Sequence, residues 1–200
     1  MVVYIHGKGG STSEAEHFKK FFAGREVIGF DYKSKNIWEV REEFQNFFLL
    51  NKNFEPFTII ANSIGAYFAM DALADKNIER AFFISPIVDM EKIILDLMAS
   101  ENVTEDELRE KKEIPAKFGE NLSWKYLCYV RENPVRWKIP THILYGEKDN
   151  FTSLETMKNF AEKNNFSLTV MKNGEHFFHT NEQMNFLDNW LKKFNERNFL

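Results

Sequence analysis

A chain of 200 residues, 44% hydrophobic and 28% charged, has the balance of a soluble globular protein and the length of one domain. Its net charge of −4, with lysine and arginine scattered along the chain, leaves no cationic stripe for phosphates or anionic lipid, which argues against nucleic acid and membrane surfaces as partners. The single cysteine, Cys128, excludes an internal disulfide or a cysteine-built metal cluster and fits a reducing compartment, so a cytoplasmic location is expected.

The first apolar run, Val2–Ile5, reads as a buried strand; it is too short for a signal-peptide core, and no later segment reaches membrane-spanning length. It leads directly into Tyr4-Ile5-His6-Gly7-Lys8-Gly9-Gly10-Ser11, a turn whose glycines let backbone N–H groups face a ligand without obstruction by Cβ. The turn matches neither the phosphate-binding G-x-x-x-x-G-K-[ST] loop nor the dinucleotide G-x-G-x-x-G fingerprint. A helical pattern opens at Ser11-x-x-Glu14, a second strand is expected at Glu26–Phe30, and Asn36 precedes a helix over Trp38–Leu50. The 21 phenylalanines point to a phenylalanine-packed core more than to an aromatic pocket.

Phe57–Ala61 reads as a third strand that stops at Ser63, with a helical pattern starting at once. A serine on so sharp a strand-to-helix turn has its hydroxyl pushed out above the sheet, and the N–H groups behind it lie at a helix N-terminus. Small residues at Ala61, Gly65 and Ala66 suit the close approach of strand and helix, although an ordinary N-cap serine would also satisfy the pattern taken alone.

Arg80–Ser85 is a fourth strand, and from Val88 to Lys138 only helical pattern follows, including the capping box at Thr104–Glu107 and the aromatic run Trp124–Tyr129. The charged stretch Glu101–Glu113 reads as a solvated helix face. His142–Tyr145 is a fifth strand, ending in Gly146-Glu147-Lys148-Asp149, and Thr152-x-x-Glu155 starts another helix. Ser167–Met171 is a sixth, giving way to Gly174-Glu175-His176. The last helix opens at Thr180-x-x-Gln183 and places Met184, Leu187, Trp190, Leu191 and Phe194 on one face. Alternating strands and helices call for an α/β fold, a mostly parallel sheet of about six strands with helices on both faces, which binds ligands at the carboxyl ends of the strands.

Four of those strand ends carry the chemistry. His6-Gly7-Lys8-Gly9-Gly10, Ala61-Asn62-Ser63-Ile64-Gly65, Gly146-Glu147-Lys148-Asp149 and Gly174-Glu175-His176-Phe177, in that order, resemble the oxyanion turn, nucleophile elbow, acid turn and histidine loop of the α/β-hydrolase superfamily. The resemblance covers nearly the whole chain. Alanine stands at 61 where the elbow usually has glycine, and the chain begins where the family's third strand usually begins, which implies a sheet trimmed at its N-terminal side. It further implies one hydrolase domain over residues 1–200, with 88–138 inserted as a small helical lid. Ser63 would be the nucleophile, His176 the base and then the acid, Asp149 the residue orienting His176, and the N–H groups of Lys8 and Ile64 the oxyanion hole.

Asp89, at another strand end, is a rival for the acid, and His179 for the base; Glu175, His176 and His179 lack the H-E-x-x-H spacing of a metal site. His6 reads as a loop-bracing residue, and Trp124, Tyr126, Tyr129 and Trp137 as packing. The expected activity is a serine hydrolase acting on a small or medium-sized carboxylic ester, with a small-molecule acyl substrate as partner, no cofactor and no metal. Thioester, amide or C–C bond cleavage on the same fold, or a non-catalytic binding protein, are the alternatives. A dehalogenase is disfavoured, because it needs a carboxylate where Ser63 stands.

Overall fold

The computed structural model describes residues 1–34, 36–117 and 121–196. The chain divides into a larger unit, Met1–Val88 together with the chain from Arg136 on, and a smaller one, Asp89–Val135. In the larger unit β1 (Val2–Ile5) leads to a short helix α1 (Ala15–Phe18) and β2 (Val27–Gly29), and α2 (Ile37–Leu50) to β3 (Phe57–Asn62), α3 (Ile64–Ala72) and β4 (Ile78–Ile84). The smaller unit holds α4 (Met90–Ser100), α5 (Glu105–Lys111), β5 (Glu113–Pro115), β6 (Asn121–Ser123) and α6 (Trp124–Glu132). β7 (Thr141–Gly146), α7 (Leu154–Asn164), β8 (Ser167–Met171) and α8 (Asn181–Glu196) complete the larger unit.

Six strands form one sheet in the order β2-β1-β3-β4-β7-β8, and every neighbouring pair is parallel. The expected strands at 2–5 and 167–171 match residue for residue, and the other four differ by no more than two residues at an end. Alternation along the strands sends Val2, Tyr4, Ile60, Phe82, Ile84 and Leu144 to one face, where α1 supplies Ala15 and Phe18 and α8 supplies Leu187, Trp190 and Leu191. The alternate residues Val3, Ile5, Ile59, Ala61, Ala81, Phe83 and Ile143 are equally buried, as a parallel sheet covered on both faces requires. Each valine, leucine, isoleucine or phenylalanine side chain among them, fully buried, contributes about 1.5–3 kcal/mol. Phenylalanine fills much of this core: Phe18, Phe22, Phe44, Phe48, Phe57, Phe82 and Phe83 are all buried, whereas Phe151 and Phe177 are exposed.

Capping follows the sequence closely. Thr180 and Gln183 bond reciprocally at the start of α8, 3.2 and 3.4 Å. The start of α7 moves by one residue: Ser153, whose hydroxyl accepts the Thr156 N–H at 3.1 Å, is the cap in place of Thr152.

Within the smaller unit, Thr104 caps α5, and the charged helix face expected there is laced by Lys111–Glu107 and Arg109–Asp106 pairs. Arg131 of α6 bonds both Glu91 of α4 and Glu105 of α5, at 2.6 and 2.7 Å. The helical pattern over 88–138 hid one feature: β5 and β6 pair as a small antiparallel ribbon, Glu113 opposite Ser123. The helix ends at Lys111, and Lys112 takes a left-handed backbone (φ 67°) that turns Glu113 into the ribbon.

His142 of β7 gives the fold a pH dependence. Its ring lies between Phe82 and Phe194, centroids 5.5 and 4.3 Å away. Burial, aided by the Arg80 charge, lowers its pKa from 6.5 to about 4. Between those values the unfolded chain takes up a proton that the folded chain refuses, so this contribution to stability is full above pH 6.5 and is lost as pH falls toward 4. After allowance for partial solvent access the loss is about 1–2 kcal/mol. Urea midpoints for the wild type and His142→Gln at about pH 7 and about pH 4.5 check it: the acid-induced drop should shrink in the variant, and equal drops would assign it to other groups.

Candidate active site

Ser63 stands between β3 and α3 with φ 53° and ψ −123°, a conformation that L-residues rarely hold. Its backbone is pinned at both ends. The Ser63 N–H donates to the Ile84 carbonyl at 3.0 Å, and the Ser63 carbonyl accepts from the N–H groups of Ala66 and Ile87, both at 3.1 Å. Strain of this kind costs about 1–3 kcal/mol and persists only where the surroundings hold it. Gly65 is what lets the turn close, because a Cβ there would lie 2.4 Å from the His6 carbonyl oxygen.

His176, on the loop after β8, is 2.8 Å from the Ser63 hydroxyl through Nε2 and 2.6 Å from Asp149 Oδ2 through Nδ1. An ionised carboxylate only accepts, so Nδ1 carries the proton and Nε2 is free to accept from the serine. Both side chains are enclosed, His176 at 4% and Asp149 at 0% exposure, which keeps competing water off the bond. The other Asp149 oxygen, Oδ1, accepts the N–H groups of Phe151 and Thr152, at 2.8 and 3.2 Å. The Thr152 hydroxyl, which would have capped α7, is turned instead to the Pro86 carbonyl at 3.5 Å. Tyr145 donates to the Thr152 carbonyl at 2.6 Å, and burial, with the Asp149 charge, pushes its phenol up to about 12.

The three residues expected to act together are therefore joined, and the rivals are engaged elsewhere. Asp89 caps α4, accepting the Lys92 N–H at 3.0 Å. His179 is exposed and turns its Nδ1 to the Phe177 carbonyl at 2.8 Å. His6 braces its loop, with Nδ1 2.9 Å from the Gly7 carbonyl and its ring stacked on Tyr32 at 4.4 Å. Trp137 is core, its indole N–H donating to Thr141 at 2.8 Å. Among the described residues no group of histidine, cysteine and carboxylate side chains is arranged to hold a metal, and no helix is long and apolar enough to cross a membrane.

Ile64 directly follows the serine, and Lys8 follows Gly7, which packs against it. Ile64 opens α3, where the first N–H groups of a helix have no partner within it. Lys8 belongs to the turn closed by the Gly10 N–H on the Gly7 carbonyl, 3.1 Å, and Gly7 rests on Ser63, so that a Cβ on it would be 3.0 Å from that of the serine. Glu14, read only as a capping residue, does more. Its Oε1 accepts the Ser11 N–H at 2.8 Å while Oε2 accepts the buried Tyr4 hydroxyl, tying the glycine turn to the core. Burial and the Glu14 charge raise the Tyr4 pKa far above the phenol range. No local sequence signal marks the Tyr4–Glu14 bond, since a capping box looks the same without it.

No protein-family model matches the chain, and no curated protein is significantly similar to it. Solved structures match its fold. Est1E from Butyrivibrio proteoclasticus aligns over 96% of this chain and 85% of its own, with a TM-score of 0.71 at 18% identity. The mouse α/β-hydrolase domain-containing protein 10 aligns over 98% and 89%, at 0.72 and 15%. An esterase of Pyrococcus furiosus aligns over 98% and 80%, at 0.62 and 20%.

Proposed function

We propose that this chain, which has the α/β-hydrolase fold, is a serine hydrolase that cleaves a carboxylic ester of a small or medium-sized substrate through an acyl-enzyme. What carries the reading is the unbroken run of bonds from Ser63 through His176 to Asp149, 2.8 and 2.6 Å, built from three separate strand ends.

In acylation the Ser63 oxygen bonds to the ester carbonyl carbon as its proton passes to His176 Nε2. The carbonyl oxygen becomes an oxyanion, met by the N–H groups of Ile64 and Lys8; one such donor lowers the barrier by about 2.7–4 kcal/mol. The carbon–alkoxide bond then breaks and the leaving oxygen takes the proton from Nε2. Water repeats the sequence, giving its proton to His176 and its oxygen to the acyl carbon, which frees Ser63. Throughout, Asp149 stabilises the imidazolium and keeps the ring turned toward the serine.

An alkyl fluorophosphonate tests the reading directly. Mass spectrometry is expected to find one covalent adduct, on Ser63, alongside turnover of p-nitrophenyl butyrate. Est1E has also been solved with ferulic acid bound, so hydroxycinnamate esters belong in the same substrate panel. An unlabelled Ser63 with no turnover would overturn the reading in favour of a binding protein on this fold.

A further inference from the structure

A cavity of about 370 Å³ lies wholly among residues of the larger unit, between the glycine turn, α1, the start of α8 and the loop after His176. That volume is in the range of small-molecule sites. It adjoins the reacting groups at three points. Gly7, in its wall, rests on Ser63; Asn62 is the residue before the serine; and the Phe177 ring stands edge-on to His176, centroids 5.0 Å apart.

The chemistry of the wall selects what enters. Phe18, Ile84, Phe178, Met184 and Leu187 make it largely apolar. Several polar side chains in the wall are already committed: the Tyr4 hydroxyl and the Ser11 N–H occupy the Glu14 oxygens, His17 bonds Asp188 at 2.7 Å, and His179 bonds the Phe177 carbonyl; the wall also holds Lys8 and Asn62, whose Oδ1 is buried with no hydrogen-bond partner. Over the apolar side chains that make up most of the wall a charged group would lose its water uncompensated, whereas an alkyl chain buried there is stabilised.

We propose that this cavity receives an uncharged apolar chain of the ester, and that Met184 sets the length it accepts. The inference rests on the assignment of Ser63 as nucleophile. Met184 and Leu187 lie on one face of α8 at i and i+3; Leu187 is locked into the core, while Met184 is half-buried. Its unbranched side chain can be shortened or enlarged at this wall with little disturbance to the fold.

The test compares the wild type with Met184→Trp and Met184→Ala on p-nitrophenyl acetate, butyrate and octanoate, and separately on methyl, butyl and octyl acetates. Met184→Trp should lower the octanoate-to-acetate ratio of kcat/KM by roughly tenfold or more, and Met184→Ala should raise it, the size expected for a few methylene groups in an apolar pocket. The same opposed shifts in the alkyl acetate series would seat the alcohol chain in the cavity instead of the acyl chain. Ratios unchanged in both series, with both variants folded by their melting temperatures, would overturn the proposal. A wild type that turns over no ester and leaves Ser63 unlabelled would overturn the hydrolase reading, and this inference with it.

Discussion

Ser63→Ala is expected to lower kcat on p-nitrophenyl butyrate by about 10⁵-fold with little change in KM, because it removes the atom that attacks and leaves the binding surfaces intact. His176→Ala should cost about as much, and the double variant no more than either alone, since the two side chains act as one unit. Asp149→Asn should cost somewhat less, about 10⁴-fold. The amide keeps the size of the carboxylate and can still accept from Phe151 and Thr152, whose N–H groups hold Oδ1 at 2.8 and 3.2 Å. What it loses is the charge 2.6 Å from His176 Nδ1 that favours the imidazolium and fixes the ring's tautomer. Asp89→Asn makes the contrast. Asparagine caps a helix as well as aspartate does, so the bond to the Lys92 N–H survives and kcat should stay within about twofold. Full activity in Asp149→Asn, or a large loss in Asp89→Asn, would reverse the assignment of the acid.

The parts of this molecule legible in sequence are those in which one residue type meets a local demand. Small residues two positions either side of the serine, Ala61 and Gly65, are legible because the demand for space is local to the turn, and the three other strand-end motifs separate an elbow from an ordinary N-cap serine. Val2–Ile5 is legible because a strand buried on both faces becomes an unbroken apolar run, and Ser167–Met171, at the sheet edge, because its polar and apolar residues alternate with the period of a half-buried strand. Strand order is set by hydrogen bonds between distant segments, and nothing in the apolar runs encodes that β1 lies between β2 and β3. The ribbon of β5 and β6 escapes for a related reason: three residues, one of them Pro115, carry no period, and only the pairing with Asn121–Ser123 makes them strands. The second bond of Glu14, to Tyr4, is equally invisible, because the two residues meet only once α1 has packed on the sheet.

Gly146→Ala is expected to lower kcat by about 10²-fold and stability by about 1–3 kcal/mol, although position 146 touches no substrate. The turn after β7 and the loop after β8 are zipped together. The Glu147 N–H donates to the Met171 carbonyl at 3.0 Å, the Lys148 N–H to the Gly174 carbonyl at 2.7 Å, and the Asn173 N–H to the Glu147 carboxylate at 2.9 Å. Gly146 lies at the tightest point of this seam: a Cβ there would fall 2.3 Å from the Glu175 carbonyl oxygen and 2.7 Å from the Gly174 carbonyl, both backbone atoms that a rotamer change cannot move. The loop must retreat, and His176, the next residue along, retreats with it from Asp149 on one side and Ser63 on the other. Displacement of the imidazole by a fraction of an ångström lengthens two bonds that proton transfer needs short. Gly24→Ala separates this from the general cost of replacing glycine: Gly24 has φ 78° but open space around it, so alanine there should bring about 1 kcal/mol of backbone strain and no change in kcat. Wild-type kcat in Gly146→Ala would mean that the seam does not seat His176. A loss of kcat in Gly146→Ala but not in Gly24→Ala would put the precision of the site in the contact between two loops, one step removed from the three side chains themselves.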